Sequence, residues 1–475
     1  MRASGSQLTQ VHLERVGAFY ESAPVEANWG SRGYRTMLAH YYNLLIPADA
    51  RVLEIGCGSG ELLSQLNARH RTGVDLSARQ IEAAKRRLPD ATFHVQSGEN
   101  LELTGPFDCI VISETLNFAA DVQQLLQRLQ TVAHPETRLI LNFHSSLWRP
   151  VFSLARRLGL KSPQPQSNWL APADVANLLQ LSSWEALLTE QRILLPVKCG
   201  GLETAVNRWL APLPLLRHLC VTVFCVARPR PNPPVSLRSV SVIIPARNEA
   251  GNIEAAVRRT PDLGAGTELI FVEGHSRDQT WEEIQRVQRE YPQHRIKILQ
   301  QTGRGKGDAV RAGFAAATGD ILMILDADLT MPPEELPKFY DVIARGHAEF
   351  ANGCRLVYPM DEQAMQFLNL CANKTFGLIF TWLLGQPVKD TLCGTKVLSR
   401  AHYEKIAANR AYFGDFDPFG DFDLLFGAAK LNLKIVDIPI RYRERTYGST
   451  NIQRWKHGWL LLRMVAFAAR KLKFV

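Results

Sequence analysis

The sequence predicts an α/β protein of two domains in tandem, and three observations carry that prediction. Its 475 residues exceed the length of one ordinary domain. Short apolar runs of strand length, each followed by a polar loop and a helical pattern, recur in both halves. Between the halves, Arg228-Pro-Arg-Pro-Asn-Pro-Pro-Val235 crowds four prolines into a stretch that can continue neither a helix nor an interior strand and favours a stiff, extended spacer. The expected division is a first domain over 1–228, a linker over 229–238 and a second domain over 239–475.

Composition bounds the function. With 46% hydrophobic and 21% charged residues the chain is ordinary for a globular protein. A net charge of +9 and a pI near 9.2 favour anionic partners: nucleotide-sugars, lipid phosphates or an acidic membrane surface. No lysine-arginine tract with interleaved aromatics stands out, so nucleic acid is not expected as a partner. Eight cysteines are scattered with no C-x-x-C pair, which suits reduced thiols in a cytoplasmic protein and gives no zinc site. The first twenty residues lack the apolar run of a signal peptide. The longest apolar stretches, 376–384 and 459–469, fall short of the roughly 20 residues that span a bilayer. From His457 to Val475, apolar residues mix with Arg463, Arg470, Lys471 and Lys473. That pattern fits a basic amphipathic helix lying peripherally on anionic lipid, or one packed on the protein body with a basic outer face.

In the first half, residues 1–50 read as helical, with Phe19, Tyr20, Trp29, Tyr34, Tyr41 and Tyr42 at irregular spacing. A strand over Val52–Ile55 runs into Gly56, Gly58 and Gly60, glycines that allow positive φ and close backbone approach to a ligand, with a helix expected to open near Gly60. A second strand ends at Asp75. The spacing is G-x-G-x-G, with Glu54 ahead of it, unlike the dinucleotide fingerprint. Further strands are expected within 92–103, within 105–121, over 137–146, over Gln191–Val197 and over Val221–Ala227, and a helix carries Pro172 in its first turn. Glu54, Gly56, Gly58 and Gly60 followed by Asp75 resemble the class I S-adenosylmethionine-dependent methyltransferases. The resemblance implies a seven-stranded Rossmann-like sheet that binds S-adenosyl-L-methionine. Asp75 would hold the ribose hydroxyls, and Glu54 would lie near the amino-acid end of the cofactor. Glu99, in the segment that matches the adenine loop, and Ser113, at the end of the fourth strand, complete the expected cofactor set. In that adenine loop Ser97 stands where the family commonly has aspartate. Glu114 is either ligand-facing or a helix-start carboxylate. His144, after the fifth strand, is a candidate base if the methyl acceptor is a poor nucleophile.

In the second half, Ser241–Ile253 and Glu268–Thr280 are each a strand running into a polar loop and helix. Arg304–Glu335 adds a glycine-rich start, a helix with Val310, Gly313, Phe314 and Ala317 on one face, and an apolar strand closed by Asp326-Ala327-Asp328. Two carboxylates at a strand tip suit a hard divalent cation, Mg²⁺ or Mn²⁺, that also takes phosphate oxygens. Three such units ending in D-x-D resemble the family 2 inverting glycosyltransferases. The segments GKGDAVRAGF, DADLTMPPEEL and DTLCGTKVLSR are similar to those of the dolichyl- and polyprenyl-phosphate sugar transferases.

That resemblance implies a nucleotide-diphospho-sugar transferase (GT-A) fold. Pro245, Arg247, Glu249 and Glu273 would border the nucleotide; Glu273 stands where the family usually has an aspartate. Lys306 would meet the diphosphate, Asp326 and Asp328 the metal, and Ala327 the nucleotide-sugar beside them. Arg355, Arg441 and Arg445 would serve the acceptor, a polyprenyl-phosphate or other glycolipid, with Tyr447-Gly448-Ser449-Thr450 similar to a loop that closes over both phosphates. Asp390, Asp421 and Asp423 are the candidate catalytic carboxylates. A hydroxyl acceptor needs a base, whereas an ionised lipid phosphate does not. Together the halves imply a bifunctional enzyme. The open alternatives are a soluble transferase acting on a protein or small molecule, and a first half that binds its ligand without turnover.

Overall fold

A computed structural model describes the chain apart from residues 1–4, 23–28, 158–164, 166, 167, 169, 232–236, 358–366, 413–421, 444, 446 and 448–453. It contains two compact units, one over Met1–Arg230 and one over Pro231–Lys473.

The first unit is built on β1 (Arg51–Ile55), β2 (His70–Asp75), β3 (Thr92–Val95), β4 (Phe107–Ser113), β5 (Ala133–His144), β6 (Trp184–Arg192) and β7 (Thr222–Pro229). Their order is β3-β2-β1-β4-β5-β7-β6. β1 to β5 are parallel, and β7 runs antiparallel to both β5 and β6. β1 and β4 are apolar on both faces because both faces are covered, as the near-zero exposure of Val52, Leu53, Ile110, Val111 and Ile112 attests. The chain leaves β1 toward β2 and β3 and returns on its other side as β4. Connections therefore diverge at the carboxyl ends of β1 and β4 and open the crevice in which α/β sheets gather ligands.

Two local expectations for this unit do not hold. No long helix opens at Gly60: Gly56, Gly58 and Gly60 all have positive φ, a run that keeps the chain in turns, and only a single helical turn forms over Leu63–Gln65. The sixth strand lies earlier than Gln191–Val197. Trp184 starts it, fully buried with its indole N–H donated to the Leu126 carbonyl at 2.9 Å, and Ile193, at φ 64°, ends it. The seventh strand reaches Pro229, which pairs with Trp184, so the ladder runs to the first proline of the seam.

The second unit holds β8 (Val240–Ala246), β9 (Thr267–Glu273), β10 (Arg295–Gln300), β11 (Ile321–Ile324), β12 (Phe350–Cys354), β13 (Lys396–Ser399) and β14 (Ile435–Pro439), in the order β10-β9-β8-β11-β13-β12-β14. β8 to β11 are parallel, and β13 is antiparallel to β11 and β12. The helix Lys306–Ala316 buries Val310, Gly313 and Phe314 against this sheet. A Cβ on Gly313 would come within 2.5 Å of Ile243, which explains the small residue there. The switch point falls between β8 and β11, so the loops after Ala246 and Ile324 face one crevice.

Candidate functional sites

At the crevice of the first sheet the carboxylate of Asp75 receives the backbone N–H of Gly58 at 2.8 Å and that of Ser77 at 3.0 Å. Burial raises its pKa, and these two donors oppose the rise. Glu54 is buried at the tip of β1, where one oxygen has no hydrogen-bond partner among the described residues. Burial pushes its pKa up to about 8, against the pull of the Arg35 guanidinium. Gly56 sits where a Cβ would lie 2.2 Å from the Thr115 hydroxyl, whereas the space beside Gly58 is open. These features fit S-adenosyl-L-methionine: an unsatisfied carboxylate for its ammonium, a rigid carboxylate for its ribose, and a backbone open at Gly58.

Ser113 ends β4 in this crevice. Glu99 is placed differently from a free ligand group, since its oxygens accept from the Ser97 hydroxyl at 2.6 Å and the Ala120 N–H at 3.0 Å. It fixes the wall of the crevice. Arg35, Tyr20 and Tyr34 were not singled out as site residues. Burial raises the Tyr20 pKa, and the charges of Asp75 and Glu114 add to the rise. The irregular aromatic spacing of residues 1–50 was the only sequence signal for the two tyrosines.

In the second unit, Asp326 and Asp328 follow β11 directly. Lys306 Nζ lies 2.6 Å from Asp326. Burial would raise the Asp326 pKa, but Lys306, helped by Lys396 and Arg355, outweighs it and holds the carboxyl below its ordinary value. Asp328 accepts from the Thr330 hydroxyl at 2.8 Å and from Arg445 Nη2 at 2.8 Å. The other guanidinium nitrogen, Nη1, reaches Glu249 Oε1 at 2.8 Å, so one arginine spans a β8-loop carboxylate and the D-x-D motif. Glu249 is further fixed by Asn252 Nδ2 at 2.8 Å, with its N–H on the Thr280 hydroxyl at 2.9 Å. Arg247 is exposed and Pro245 half-buried at the end of β8.

Glu273 pairs across from Ala246 and accepts the Ser276 N–H at 2.5 Å, which ties it to its own loop. Asp278 accepts from the Thr280 N–H at 3.1 Å and acts as a local cap. The ring of Tyr447 lies over Gly251, where a Cβ would meet it at 2.6 Å. Among the described residues no group of three or more His, Cys, Asp or Glu side chains forms a metal cluster. The donor set available to Mg²⁺ or Mn²⁺ is the carboxylate pair Asp326 and Asp328, which fits an ion completed by water and phosphate oxygens.

The candidate catalytic carboxylates are engaged elsewhere. Asp390 is fully buried and accepts from Arg355 Nε at 2.7 Å, Nη2 at 2.8 Å and the Arg355 N–H at 3.0 Å. Burial would raise its pKa, but the guanidinium holds it low. A carboxylate with both oxygens on one guanidinium orients that arginine and is a poor base. Arg355 in turn lies over the Tyr442 ring, 5.1 Å from its centroid. Asp423, in the first turn of the helix Phe422–Lys430, accepts from Arg410 Nε at 2.8 Å. Asp421 and Gly448-Ser449-Thr450 lie outside the described residues. Arg441 is exposed just after β14, which ends at Pro439 rather than Tyr442.

Two residues near Asp326 were missed as site components. A Cβ on Gly394 would fall 2.0 Å from the Asp326 carboxylate and 2.3 Å from Lys306 Nζ, so the Asp390 loop runs against Asp326 and Lys306. Lys396 is wholly buried and donates to the Cys393 carbonyl. Both lay within the quoted DTLCGTKVLSR segment, but only the fold brings them to β11.

The chain thus holds two α/β units, each with a crevice at its switch point, one built on glycines and the other on carboxylates and cations. Residues 46–173 match the model of a methyltransferase domain, and residues 241–406 that of glycosyl transferase family 2. The chain therefore joins a methyltransferase-family domain to a family 2 glycosyltransferase domain. Over 222 residues it is 30% identical to a dolichol-phosphate mannosyltransferase of Pyrococcus furiosus, covering 45% of this chain and 59% of that one. Over 219 residues it is 36% identical to an undecaprenyl-phosphate 4-deoxy-4-formamido-L-arabinose transferase of Salmonella paratyphi B, covering 45% and 62%. The chain thus spans about three fifths of the length of these curated relatives. Among solved structures, a SAM-dependent methyltransferase from Thermotoga maritima aligns at TM-score 0.33 and 18% identity, over 46% of this chain and 98% of that one.

Proposed function

We propose that the chain is a bifunctional transferase. Its second domain would move one sugar from a nucleoside-diphosphate sugar to a polyprenyl-phosphate or other membrane-associated acceptor, and its first would transfer a methyl group from S-adenosyl-L-methionine. The observation that carries the glycosyl reading is the convergence of Glu249, Lys306, Asp326, Asp328 and Arg445 at the switch point of the second sheet. Asp326 and Asp328 would hold a divalent cation, which supplies charge neutralisation to the diphosphate. Lys306 and Arg445, released from the two aspartates, provide positive charge for the phosphates of the donor, and Glu249 borders the nucleotide. Arg355, held by Asp390, meets the acceptor phosphate. The engagement of Asp390 and Asp423 by arginines supports a phosphate acceptor, whose oxygen attacks the anomeric carbon already ionised. No base is required.

In the first domain Gly56, Gly58, Glu54 and Asp75 bind and orient the cofactor. Residence on one chain supports a shared glycan or glycolipid acceptor for the two steps. No described helix is long and apolar enough to cross a membrane, and the helix Arg454–Leu472, with Arg470 and Lys471 in its last turn, is the segment proposed to meet anionic lipid.

A screen of nucleotide-sugars for Mn²⁺-dependent transfer to short polyprenyl phosphates tests the glycosyl reading. Asp328→Ala is expected to lower the rate by about a thousandfold, the scale of losing an electrostatic stabiliser of the leaving group. Turnover that ignores both the metal and this substitution would defeat it. Retention of the full chain by anionic vesicles but not by neutral ones is the expected membrane result.

A further inference from the structure

We propose that the first unit carries its own docking face for an anionic lipid bilayer, at the same end of its sheet as the crevice. This face is separate from the helix Arg454–Leu472 and does not depend on the reaction assigned to the crevice.

Two segments that meet at the end of β5 build it. The chain leaves β5 through a helical turn, Ser146–Trp148, into the helix Arg149–Arg157. A second turn, Leu216–Leu219, leads into β7. His144 at the end of β5 pairs with Thr222 at the start of β7, and the Ser145 N–H donates to the Val221 carbonyl at 2.8 Å. The Trp148 indole N–H donates to the Leu219 carbonyl at 2.9 Å, which ties the two segments together. β5 is parallel to β4, and β4 to β1. The carboxyl end of β5, with both segments on it, therefore lies at the end of the sheet where the crevice opens.

The helix is amphipathic in the wrong sense for one that meets only water. Its aromatic side faces inward, with the Phe152 ring 5.1 Å from that of His144 and 6.1 Å from that of Trp148. Leu147, Val151 and Leu154 fall at i, i+4 and i+7, one helical stripe, yet they are exposed by 63%, 50% and 57%. In the second segment Leu215 and Leu219 are exposed by 86% and 53%. Single exposed leucines need no explanation, but a stripe at helical spacing beside two more marks a surface that something apolar covers.

Charge selects what covers it. Arg149 and Arg157 are exposed on the helix, and Arg217 lies in the second turn. No aspartate or glutamate occurs in residues 145–173 or 204–229. An apolar stripe flanked by arginines and free of acids is the pattern of a helix lying in the headgroup region, its aliphatic side chains at the acyl boundary and its guanidiniums on lipid phosphates. A second copy of the chain would bring the same arginines together across a two-fold contact, with no acid to meet them. Docked on lipid, the ligand end of the first sheet turns toward the bilayer.

Hydrogen–deuterium exchange of the full chain, read by mass spectrometry, locates the contact without any substitution. With vesicles of equimolar phosphatidylglycerol and phosphatidylcholine, exchange over 146–157 and 213–219 is expected to slow roughly threefold or more, and with phosphatidylcholine alone to stay unchanged. Slowing over 454–472 reports the C-terminal helix separately, so the two surfaces stand or fall independently. Leu147→Glu, Val151→Glu and Leu154→Glu combined should abolish the slowing over 146–157 and weaken partitioning onto the anionic vesicles by about tenfold or more. Arg149→Gln with Arg157→Gln should weaken it by about tenfold and flatten its salt dependence. All five side chains are exposed, so the melting temperature should hold; where the triple variant melts early, the arginine pair and the unmutated chain carry the test. Unchanged exchange over 146–157 while the anionic vesicles retain the chain, equal slowing on neutral vesicles, no retention at all, or a dimer in ultracentrifugation that the triple variant dissolves would each overturn the proposal.

Discussion

The two crevices solve the problem of holding charge in opposite ways. In the first, Asp75 is fixed by backbone N–H groups, and Glu54 keeps a buried oxygen with no hydrogen-bond partner among the described residues. That site is built before any ligand arrives, and one of its acids is left waiting for a cation. In the second, Asp326, Asp328 and Glu249 are satisfied by Lys306 and Arg445, long side chains that would have to let go before the proposed metal and diphosphate could enter. Rigid backbone ligands cost little reorganisation on binding, whereas a self-neutralised site couples binding to side-chain movement. The first crevice should therefore break when its backbone is disturbed, and the second when its cations are removed.

The largest expected effect is at Gly56. An alanine there needs a left-handed backbone and puts its Cβ 2.2 Å from the Thr115 hydroxyl, which itself donates to the Ile55 carbonyl at 2.9 Å. Overpacking and backbone strain together cost about 2–5 kcal/mol. Gly56→Ala should therefore lose S-adenosyl-L-homocysteine binding in calorimetry and unfold earlier in denaturant, with the second domain's nucleotide binding intact. In the second crevice, Arg445→Ala removes the cation that competes for Asp328. Mn²⁺ affinity without nucleotide should rise roughly tenfold, about 1.4 kcal/mol, while sugar transfer slows. A fall in Mn²⁺ affinity would mean that the arginine supports the metal site instead of occupying it.

How far these contrasts were readable in advance follows the same division. Gly56, Gly58 and Gly60 are legible because positive φ leaves a sequence signature, and the D-x-D at the end of an apolar run because strand periodicity puts both acids at a tip. The absent helix after Gly60 was not legible, since three left-handed residues in five favour turns over the helical pattern that follows them. Arg445 lies 117 positions from Asp328 and 196 from Glu249, and no local pattern specifies a contact across such distances. Asp390 and Asp423 read as candidate catalytic carboxylates in sequence. Only tertiary packing assigns their arginines.

Glu54 gives a pH test of the prebuilt crevice. Its folded pKa, about 8, lies above the ordinary carboxyl value, so its contribution to stability is fully present below pH ~4.5 and is lost as pH rises through about 8. Glu54→Gln, which cannot ionise, should gain in unfolding free energy over the unmutated domain across that window, by an amount on the order of a few kcal/mol at most. A constant difference between the two from pH 5 to 9 would show that the carboxyl is not held protonated.

Gly58 should respond least, and its contrast with Gly56 is the sharpest check on the backbone argument. Both residues have positive φ, but a Cβ at Gly58 meets nothing within 4 Å, so Gly58→Ala carries only the backbone strain of about 1–2 kcal/mol. Its N–H to Asp75 is unaffected in kind, and the domain should stay folded with a small drop in denaturation midpoint. With the open space beside Gly58 proposed as the cofactor's approach, S-adenosyl-L-homocysteine binding should fall by more than the stability loss predicts. If binding and stability fall in equal measure, the glycine serves the turn alone, and the cradle is confined to Gly56 and the two acids.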